Sequence, residues 1–557
     1  MKFILGHPLL VAAAVLILPL WMKIRNRLEP AAEKMWFRQP GAAYAMGFGL
    51  TLFYAAFYLA RPSYYVLFHG GACGDPYFLV LNALLDPNYF HAKHLFFPTV
   101  PAQILKLALK FGIYDPLDLM YFEKAYLFFS LPNRLAALPG ALMMFWLLRR
   151  LRYTTNCALL GVAFLAATFG YWFWAIQSNS MGFLLPFILL AFGITWTALA
   201  RRSVGLSFLS GVMLAGCVYV HISSVFIAAG LAAFASGVYL YQDVFRSGSR
   251  SWARLIALGL GILIMALIFW ILAGRWVGSM SPSRIILGLS ESDRWSALHF
   301  DFRTLGIALK QAISTSLLLL LGFLQIPRIH RWETVLIALQ LGLLLALAAS
   351  CFTRRWDSLQ QGTRGLAFGM ALTAYGVAAI GYSVFPKWSF PQYYASVTPV
   401  IVLLLLLLVL PESEDQTPAS NGWLLLALTA GMISTNGFST SRIFQDSPMG
   451  DAVYRRLQAI REVAGSRHVI YYGADRDYYW NQDQISAYYA HSPKFSNITW
   501  REPMAWTDVL IKAKQSPILL LLSADDYPDT TPLVQSGISF RSCRARSDNA
   551  PLFYSIP

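Results

Sequence analysis

Long stretches without a charge recur from one end of this chain to the other; residues 153–200 carry none at all. No water reaches the hydrocarbon of a bilayer, so a run of ~20 mostly apolar residues crosses it as a helix that closes its own backbone hydrogen bonds. About thirteen segments meet that description: 3–22, 41–60, 132–148, 156–176, 181–200, 204–220, 222–241, 254–273, 308–326, 333–351, 366–385, 394–410 and 422–439. The first lacks a strongly basic start and a small-residue cleavage site, so it reads as a retained helix and not as a signal peptide. The expected class is a multi-pass α-helical membrane protein.

Composition closes off the other classes. Only 13% of the 557 residues are charged, against roughly 25% in soluble proteins. With 57% apolar residues the chain must bury surface, which excludes disorder. The 39 Gly and five Cys exclude collagen-like and disulfide-rich secreted chains. Forty-four Lys+Arg stand against 28 Asp+Glu, a net charge of +16. That excess lies outside residues 440–557, which are nearly neutral, so it reads as an orientation signal and as contact with membrane lipids. Nucleic acid is not an expected partner.

Three segments interrupt the apolar pattern: a long loop over 61–131, a shorter one over 274–307, and a polar tail over 440–557. The domains expected are therefore a transmembrane part, 1–439, and a soluble tail, 440–557. Short basic loops mark the inner side. Lys23–Arg38, Arg149–Arg152, Arg201–Arg202 and Arg246–Arg254 all fall there under one alternating arrangement, which puts 61–131 and 274–307 outside. The agreement fails further on, because Arg328 and Arg331 precede the span 333–351 while Arg354, Arg355 and Arg364 follow it. One helix cannot have both groups inside. A helix is therefore miscounted between about 300 and 390, and the tail is expected outside despite strict alternation.

The tail mixes two periodicities. Val453, Leu457, Ile460 and Val463 repeat on one helical face, and a second helix fits 505–514. Strand-like runs fit 468–472, 518–522, 538–543 and 552–556. A small C-terminal α/β domain without a catalytic motif follows. Asn497-Ile498-Thr499 matches a glycosylation sequon that carries no information here.

Chemistry concentrates in the loop 61–131. Asp75 follows Gly70, Gly71, Ala72, Cys73 and Gly74, where the backbone turns freely and exposes a carboxylate. Amphipathic helices fit 76–85 and 95–111, the second with Lys106 and Lys110 on its polar side. Such helices suit a platform on the outer membrane surface. Asp75 also suits a cap on the helix opening at Pro76; the two roles are compatible.

The order of these pieces resembles the GT-C superfamily of polyprenyl-phosphate-sugar-dependent glycosyltransferases, such as the bacterial aminoarabinose, mannosyl and arabinofuranosyl transferases. Gly74-Asp75 precedes His91-Ala92-Lys93-His94, and an apolar helix ends at Gly112. Pro132-Asn133-Arg134-Leu135 leading to Arg149-Arg150 resembles the family's Arg-Leu-Pro-Ser run ahead of a span. Val218-Tyr219-Val220-His221 stands where many members break between helices. Lys387-Trp388-Ser389-Phe390-Pro391-Gln392-Tyr393-Tyr394, with Pro399 in the next span, resembles an outer basic-Tyr-Pro segment. The resemblance covers residues 40–410. Two departures stand out: Pro76 replaces the acidic neighbour of the catalytic Asp, and Gln392-Tyr393 replaces Arg-Tyr.

The resemblance implies a bacterial inner-membrane enzyme whose active site faces the periplasm. Its partners would be a polyprenyl-phosphate sugar and an envelope glycan, lipid or protein acceptor. A lipid phosphate is already a good leaving group, so one carboxylate, Asp75, suffices as general base for a single inverting displacement. Fixed cations would hold the phosphate; Lys93, Arg275, Arg284 and Lys387 are the candidates, and each also suits an interfacial anchor. His91, His94, His221, Gln392, Tyr393 and Tyr394 complete the expected substrate-binding set, the two tyrosines doubling as aromatic-belt residues. His221 lies in an apolar run, where an ionisable group is costly and marks function or pairing. Two histidines three residues apart with no third ligand are a poor metal signal; no cofactor is expected, and a divalent metal is not indicated. Cys73 and Cys543 would share an oxidising compartment if the tail is outside.

Two other functions fit a chain of this kind. A lipid flippase or transporter would explain the spans but usually shows internal repeats, and none is found. A ligase or polymerase of lipid-linked glycans would share fold and compartment but take an oligosaccharide donor. The Gly-Asp loop favours a monosaccharide transferase.

Overall fold

A computed structural model describes residues 40–55, 58, 99–113, 122–176, 180–246, 252–277, 302–321, 339–344, 362–384, 394–410, 422, 424–435, 459–473, 497–501, 503–515, 518–524, 526–544 and 552–556. These residues fall in two compact units. One holds the helices from Ser130 to Arg442 together with the first apolar helix, and the other holds residues within Val100–Phe129 and Ile443–Pro557.

The helices, in chain order, are α1 (Pro40–Tyr54), α2 (Thr99–Lys110), α3 (Phe122–Arg150), α4 (Thr155–Ala167), α5 (Phe169–Ile176), α6 (Ser180–Arg201) and α7 (Val204–Val220). Then come α8 (Val225–Tyr239), α9 (Ala253–Val277), α10 (Phe302–Leu321), α11 (Gly362–Val384), α12 (Thr398–Val409) and α13 (Leu424–Thr435). Among the described residues, Phe128–Arg150, Ser180–Arg201, Val225–Phe245, Ala253–Leu272 and Gly362–Tyr382 are each long and apolar enough to cross a membrane. The pair α4 and α5 is apolar enough to do so only when taken together, and it is bent by 65° at Thr168. The protein is a multi-pass helical membrane protein.

The bend between α4 and α5 has a local cause. Thr168 leaves the helix in extended geometry (φ −65°, ψ 138°), and its Oγ1 donates back to Leu165 O at 2.7 Å. Helix pairs elsewhere approach through glycines. A Cβ on Gly211 of α7 would strike Leu258 O of α9, and one on Gly261 would strike Phe208 O. Between α8 and α11, a Cβ on Gly230 would stand 2.7 Å from Ala374 Cα. Small residues that let backbones touch are how helices associate where no hydrophobic drive exists between them.

Side-chain contacts fix which helix ends lie together. Ser207, near the start of α7, pairs with Tyr239 at the end of α8. Arg254, at the start of α9, bonds Asp243 in the π-helical Leu240–Arg246 segment that follows α8. Arg364, at the start of α11, bonds Tyr153 and the carbonyl of Leu410 after α12, while Trp196 Nε1 donates to Thr363 O. The starts of α7, α9 and α11 thus share one basic end with the ends of α3, α6, α8 and α12. The end of α9 and the start of α11 therefore lie at opposite ends of the unit.

In the second unit, β1 (Val469–Tyr472), β2 (Ile498–Arg501), β3 (Leu519–Ser523), β4 (Arg541–Arg544) and β5 (Leu552–Ile556) form one sheet in the order β2-β1-β3-β5-β4. β1 lies parallel to β2 and β3, and the other two pairings are antiparallel. β3 is buried along its whole length, which is why it reads as four consecutive leucines and not as an alternating strand. Helices α14 (Trp506–Gln515) and α15 (Thr531–Gln535) supply Val509 and Leu533 to a core with Tyr472, Leu520, Leu522, Tyr527 and Ile556. Four of the five strands fall within a few residues of the runs read from sequence; β2, which overlaps the sequon, was not read there. Asn497 of the sequon uses its side-chain amide to donate to Gly465 O and Arg467 O. Cys543 is a free, half-buried thiol, and Cys73 lies outside the described residues.

Candidate functional site

At the end opposite Arg254 and Arg364 the membrane unit buries a cluster of neutral polar groups around His221. α7 stops at Val220 because His221 turns extended (φ −158°, ψ 128°), a 3-10 turn follows over Ile222–Ser224, and α8 begins at Val225. The sequence causes this locally: a histidine and two serines interrupt an otherwise apolar run, and their side chains offer the backbone alternatives to helix bonds. His221 is buried, with 2% of its surface exposed. An unwound segment at membrane depth persists only where protein or a cavity surrounds it.

The bonding around His221 fixes the state of its ring. The backbone N–H of Ser223 donates to Nδ1 at 3.1 Å, and Ser223 Oγ lies 2.6 Å from the same nitrogen. A nitrogen that accepts an N–H carries no proton, so the ring proton sits on Nε2. Tyr382, near the end of α11, lies 2.8 Å from Ser223 O and 2.6 Å from Ser396 Oγ. Its single proton goes to the carbonyl, which accepts only; Ser396 then donates to Tyr382. The chain of donors runs Ser396 to Tyr382 to Ser223, and Ser223 meets His221 Nδ1 with its backbone N–H.

Tyr394 closes the cluster. It is buried at 1% exposure, with its ring 4.6 Å from that of Tyr382. An aromatic-belt residue would sit at the interface, so Tyr394 is an interior residue. Ser396 stands in the 3-10 turn Ala395–Val397 ahead of α12, and Pro399 falls at the first positions of α12 and not inside it. Nearby, Thr398 Oγ1 would be struck by a Cβ on Gly170, so the bend between α4 and α5 reaches this layer. The hydroxyls of Thr398 and Ser224 are buried without a hydrogen-bond partner among the described residues.

Of the residues expected from sequence, His221 and Tyr394 come together, linked through Ser223 and Tyr382. Arg275 is exposed in the last turn of α9, the turn at the His221 end. Asp75, His91, Lys93, His94, Arg284, Lys387, Gln392 and Tyr393 lie outside the described residues. Arg134 is buried in α3, where its carbonyl accepts from Tyr54 Oη at 2.6 Å. Ser223, Tyr382 and Ser396 were missed. The only hint was the pair of serines after His221. Among the described residues no three His, Cys, Asp or Glu gather as a metal site.

No family model matches the sequence, and no curated protein matches it. Solved structures do match. ArnT from Cupriavidus metallidurans bound to undecaprenyl phosphate superposes with a TM-score of 0.52 at 12% identity, covering 92% of this chain and 98% of that one. The chain shares its overall fold with that protein. The same protein in the apo state gives a TM-score of 0.49 at 12% identity, over 91% and 98% of the two chains. The arabinosyltransferase EmbB from Mycobacterium smegmatis gives 0.33 at 13% identity, over 82% of this chain and 46% of that chain. The likeness of fold to ArnT covers 92% of the chain, more than the residues 40–410 that carry the resemblance in sequence. At this identity the likeness concerns the fold; the chemistry rests on the residues.

Proposed function

We propose that this protein is an inverting glycosyltransferase. It moves a monosaccharide from a polyprenyl-phosphate donor to a glycan, lipid or protein acceptor of the bacterial cell envelope, on the periplasmic face of the inner membrane. The observation that carries the reading is the GT-C-like fold shared with ArnT, whose structure holds undecaprenyl phosphate. The break at His221 supports it, since a buried polar layer at the end opposite the arginines is where an outward-facing lipid headgroup would be met. In this arrangement the basic end is cytoplasmic. The loops 61–131 and 274–307 and the tail 440–557 are periplasmic, the tail because one further crossing, 422–439, follows the end of α12.

An acceptor oxygen or nitrogen attacks C1 of the sugar while its proton passes to the Asp75 carboxylate. The bond from C1 to the phosphate oxygen breaks on the far side, and polyprenyl phosphate departs as the charge grows on its oxygens. Lys93, Lys387, Arg275 and Arg284 supply cations for that charge, and His221 and Tyr394 supply neutral contacts.

Substituting Asp75→Asn tests the reading. Transfer should vanish while expression and membrane insertion persist, measured as product formed from a polyprenyl-phosphate sugar by purified protein. Near-normal product would remove Asp75 from the chemistry and leave it as a helix cap. Lys93→Ala and Lys387→Ala should each weaken binding of the lipid donor roughly tenfold to a hundredfold. If neither single variant nor the pair does so, the phosphate is held elsewhere.

A further inference from the structure

α2 carries two apolar faces, and the protein uses only one. Ala102, Leu105 and Ala108 repeat every three residues along one side and are buried. On the other side Ile104, Leu107 and Phe111 recur at helical spacing, and all three are exposed. The chain then closes the helix without covering that second stripe. Gly112 turns left-handed (φ 65°), and its N–H donates to Leu109 O at 3.1 Å. Ile113 N–H reaches back to Ala108 O at 2.9 Å, which completes a paired glycine closure. Phe111 and Ile113 are left with 69% and 77% of their surface exposed. Lys110 and Gln103 border the stripe, while Lys106 is half-buried.

We infer that α2 and its closing turn are a lipid anchor. Ile104, Leu107, Phe111 and Ile113 sink into the phospholipid leaflet on the side where α3 begins, and Ala102, Leu105 and Ala108 hold the helix to the protein. The anchor needs neither the donor nor the chemistry proposed above, so it can fail while that function stands.

Three observations single out lipid as the occupant. The first is the tether. Residues 114–121 alone join α2 to α3, whose segment Phe128–Arg150 is apolar enough to cross a membrane. A connection of that length reaches at most about 30 Å, so α2 stays close to a bilayer surface. On that crossing Leu131, Leu135, Leu138 and Leu142 are exposed, so the chain already offers lipid a surface of the same chemistry.

The second is size. Four side chains exposed to this degree present on the order of 500 Å². A stable protein interface buries about 800 Å² on each partner, so the stripe is too narrow for one. It suits a helix lying about 5–10 Å deep in the boundary between headgroups and acyl chains. The third is the edge. A lysine beside an apolar stripe extends its ammonium to lipid phosphates while its stem stays with the acyl chains, and Lys110 stands there. In the helices of the tail, by contrast, exposed large apolar side chains stand singly, Ile511 in α14 and Val534 in α15. That is ordinary for a surface in water.

The test uses the full-length protein in nanodiscs of phosphatidylethanolamine and phosphatidylglycerol. The photo-reactive amino acid p-benzoylphenylalanine is introduced at Ile104, Phe111 or Lys110 in turn. After illumination, phospholipid adducts read by mass spectrometry should be several-fold more abundant from positions 104 and 111 than from 110. With the probe at Ile104, the pair Leu107→Ser and Phe111→Ser should cut the adduct about tenfold, the effect of removing large apolar side chains from lipid. Melting temperature should change little, and either single serine replaces the pair if the pair does not fold. Adducts as frequent from 110 as from 104 and 111, or absent from all three, overturn the inference. Cross-links from 104 and 111 to a second copy of the chain in place of lipid also overturn it, and make the stripe a protein interface. A serine variant that keeps the parent's adduct yield shows a helix held by protein contacts alone, which removes the anchor.

Discussion

The two ends of the membrane unit bury polar groups in opposite ways. At the basic end the buried groups are cations held by a carboxylate or by phenol and carbonyl oxygens, with Arg254 Nη1 left without a hydrogen bond among the described residues. Arg254 is 4% exposed, paired with Asp243, and lies 4.7 Å from the Tyr239 ring. Arg364 is equally buried, bonds Tyr153 and Leu410 O, and sits 4.4 Å from the Tyr153 ring. At the His221 end, the buried groups around the broken span are neutral, a histidine, tyrosines and serines, and the hydroxyls of Ser224 and Thr398 lack partners among the described residues. The first end reads as a staple that fixes helix starts against helix ends. The second joins the turns before α8 and α12 to α11 through neutral contacts alone.

This contrast is open to attack from the basic end first. Asp243→Ala should destabilise the protein by about 3–5 kcal/mol, because it strands Arg254 in a buried position without its counter-charge. Replacing both members, Asp243→Leu with Arg254→Met, should cost far less, since a well-packed apolar pair often substitutes for a buried ion pair. Thermal unfolding in detergent reads both. If the single and double variants melt alike, the pair is no staple.

Arg364→Met comes next, at about 2–4 kcal/mol, because Tyr153 Oη and Leu410 O lose their donor while buried. Arg364→Lys should recover only part, since a point charge cannot reach both partners with a planar fork. Undecaprenyl-phosphate binding by whatever fraction stays folded should be unchanged in these basic-end variants. A specific loss of binding there would erase the distinction between the ends.

The smallest effect, with the opposite sign, belongs to the other end. Thr398→Val replaces an unpartnered buried hydroxyl with a methyl of similar shape. It should leave stability unchanged or raise it by up to about 1 kcal/mol. A drop of that size in melting free energy would show that the hydroxyl has a structural bond.

His221 was legible in the sequence because an ionisable group is costly inside an apolar run, whatever surrounds it. Its partners were not. Serine and tyrosine are ordinary residues of membrane helices, and neither Ser223 nor Ser396 disturbs the hydropathy that defines its segment. Tyr394 read equally well as a belt residue, since only its burial against Tyr382 separates the two roles. The bend within 156–176 was hidden as well, because the residue responsible is a threonine in extended geometry and not a proline or glycine. Several prolines that were visible, Pro132 and Pro139 in α3 and Pro186 in α6, sit inside continuous helices.

The sequence by itself determined that the chain is a bundle of membrane helices, where most of them begin and end, and that alternation fails between about 300 and 390. Those properties are sums over consecutive residues: apolar length against bilayer thickness, and basic loops against the inner surface. The tertiary structure alone decided which helix ends meet, and with them the contacts that tie Ser396, Tyr382, Ser223 and His221 together. A hydrogen bond reaches about 3 Å and depends on angle. Residues 159 apart in the chain satisfy it only when glycine-to-backbone packing such as Gly230 against Ala374 has set the helices side by side in register.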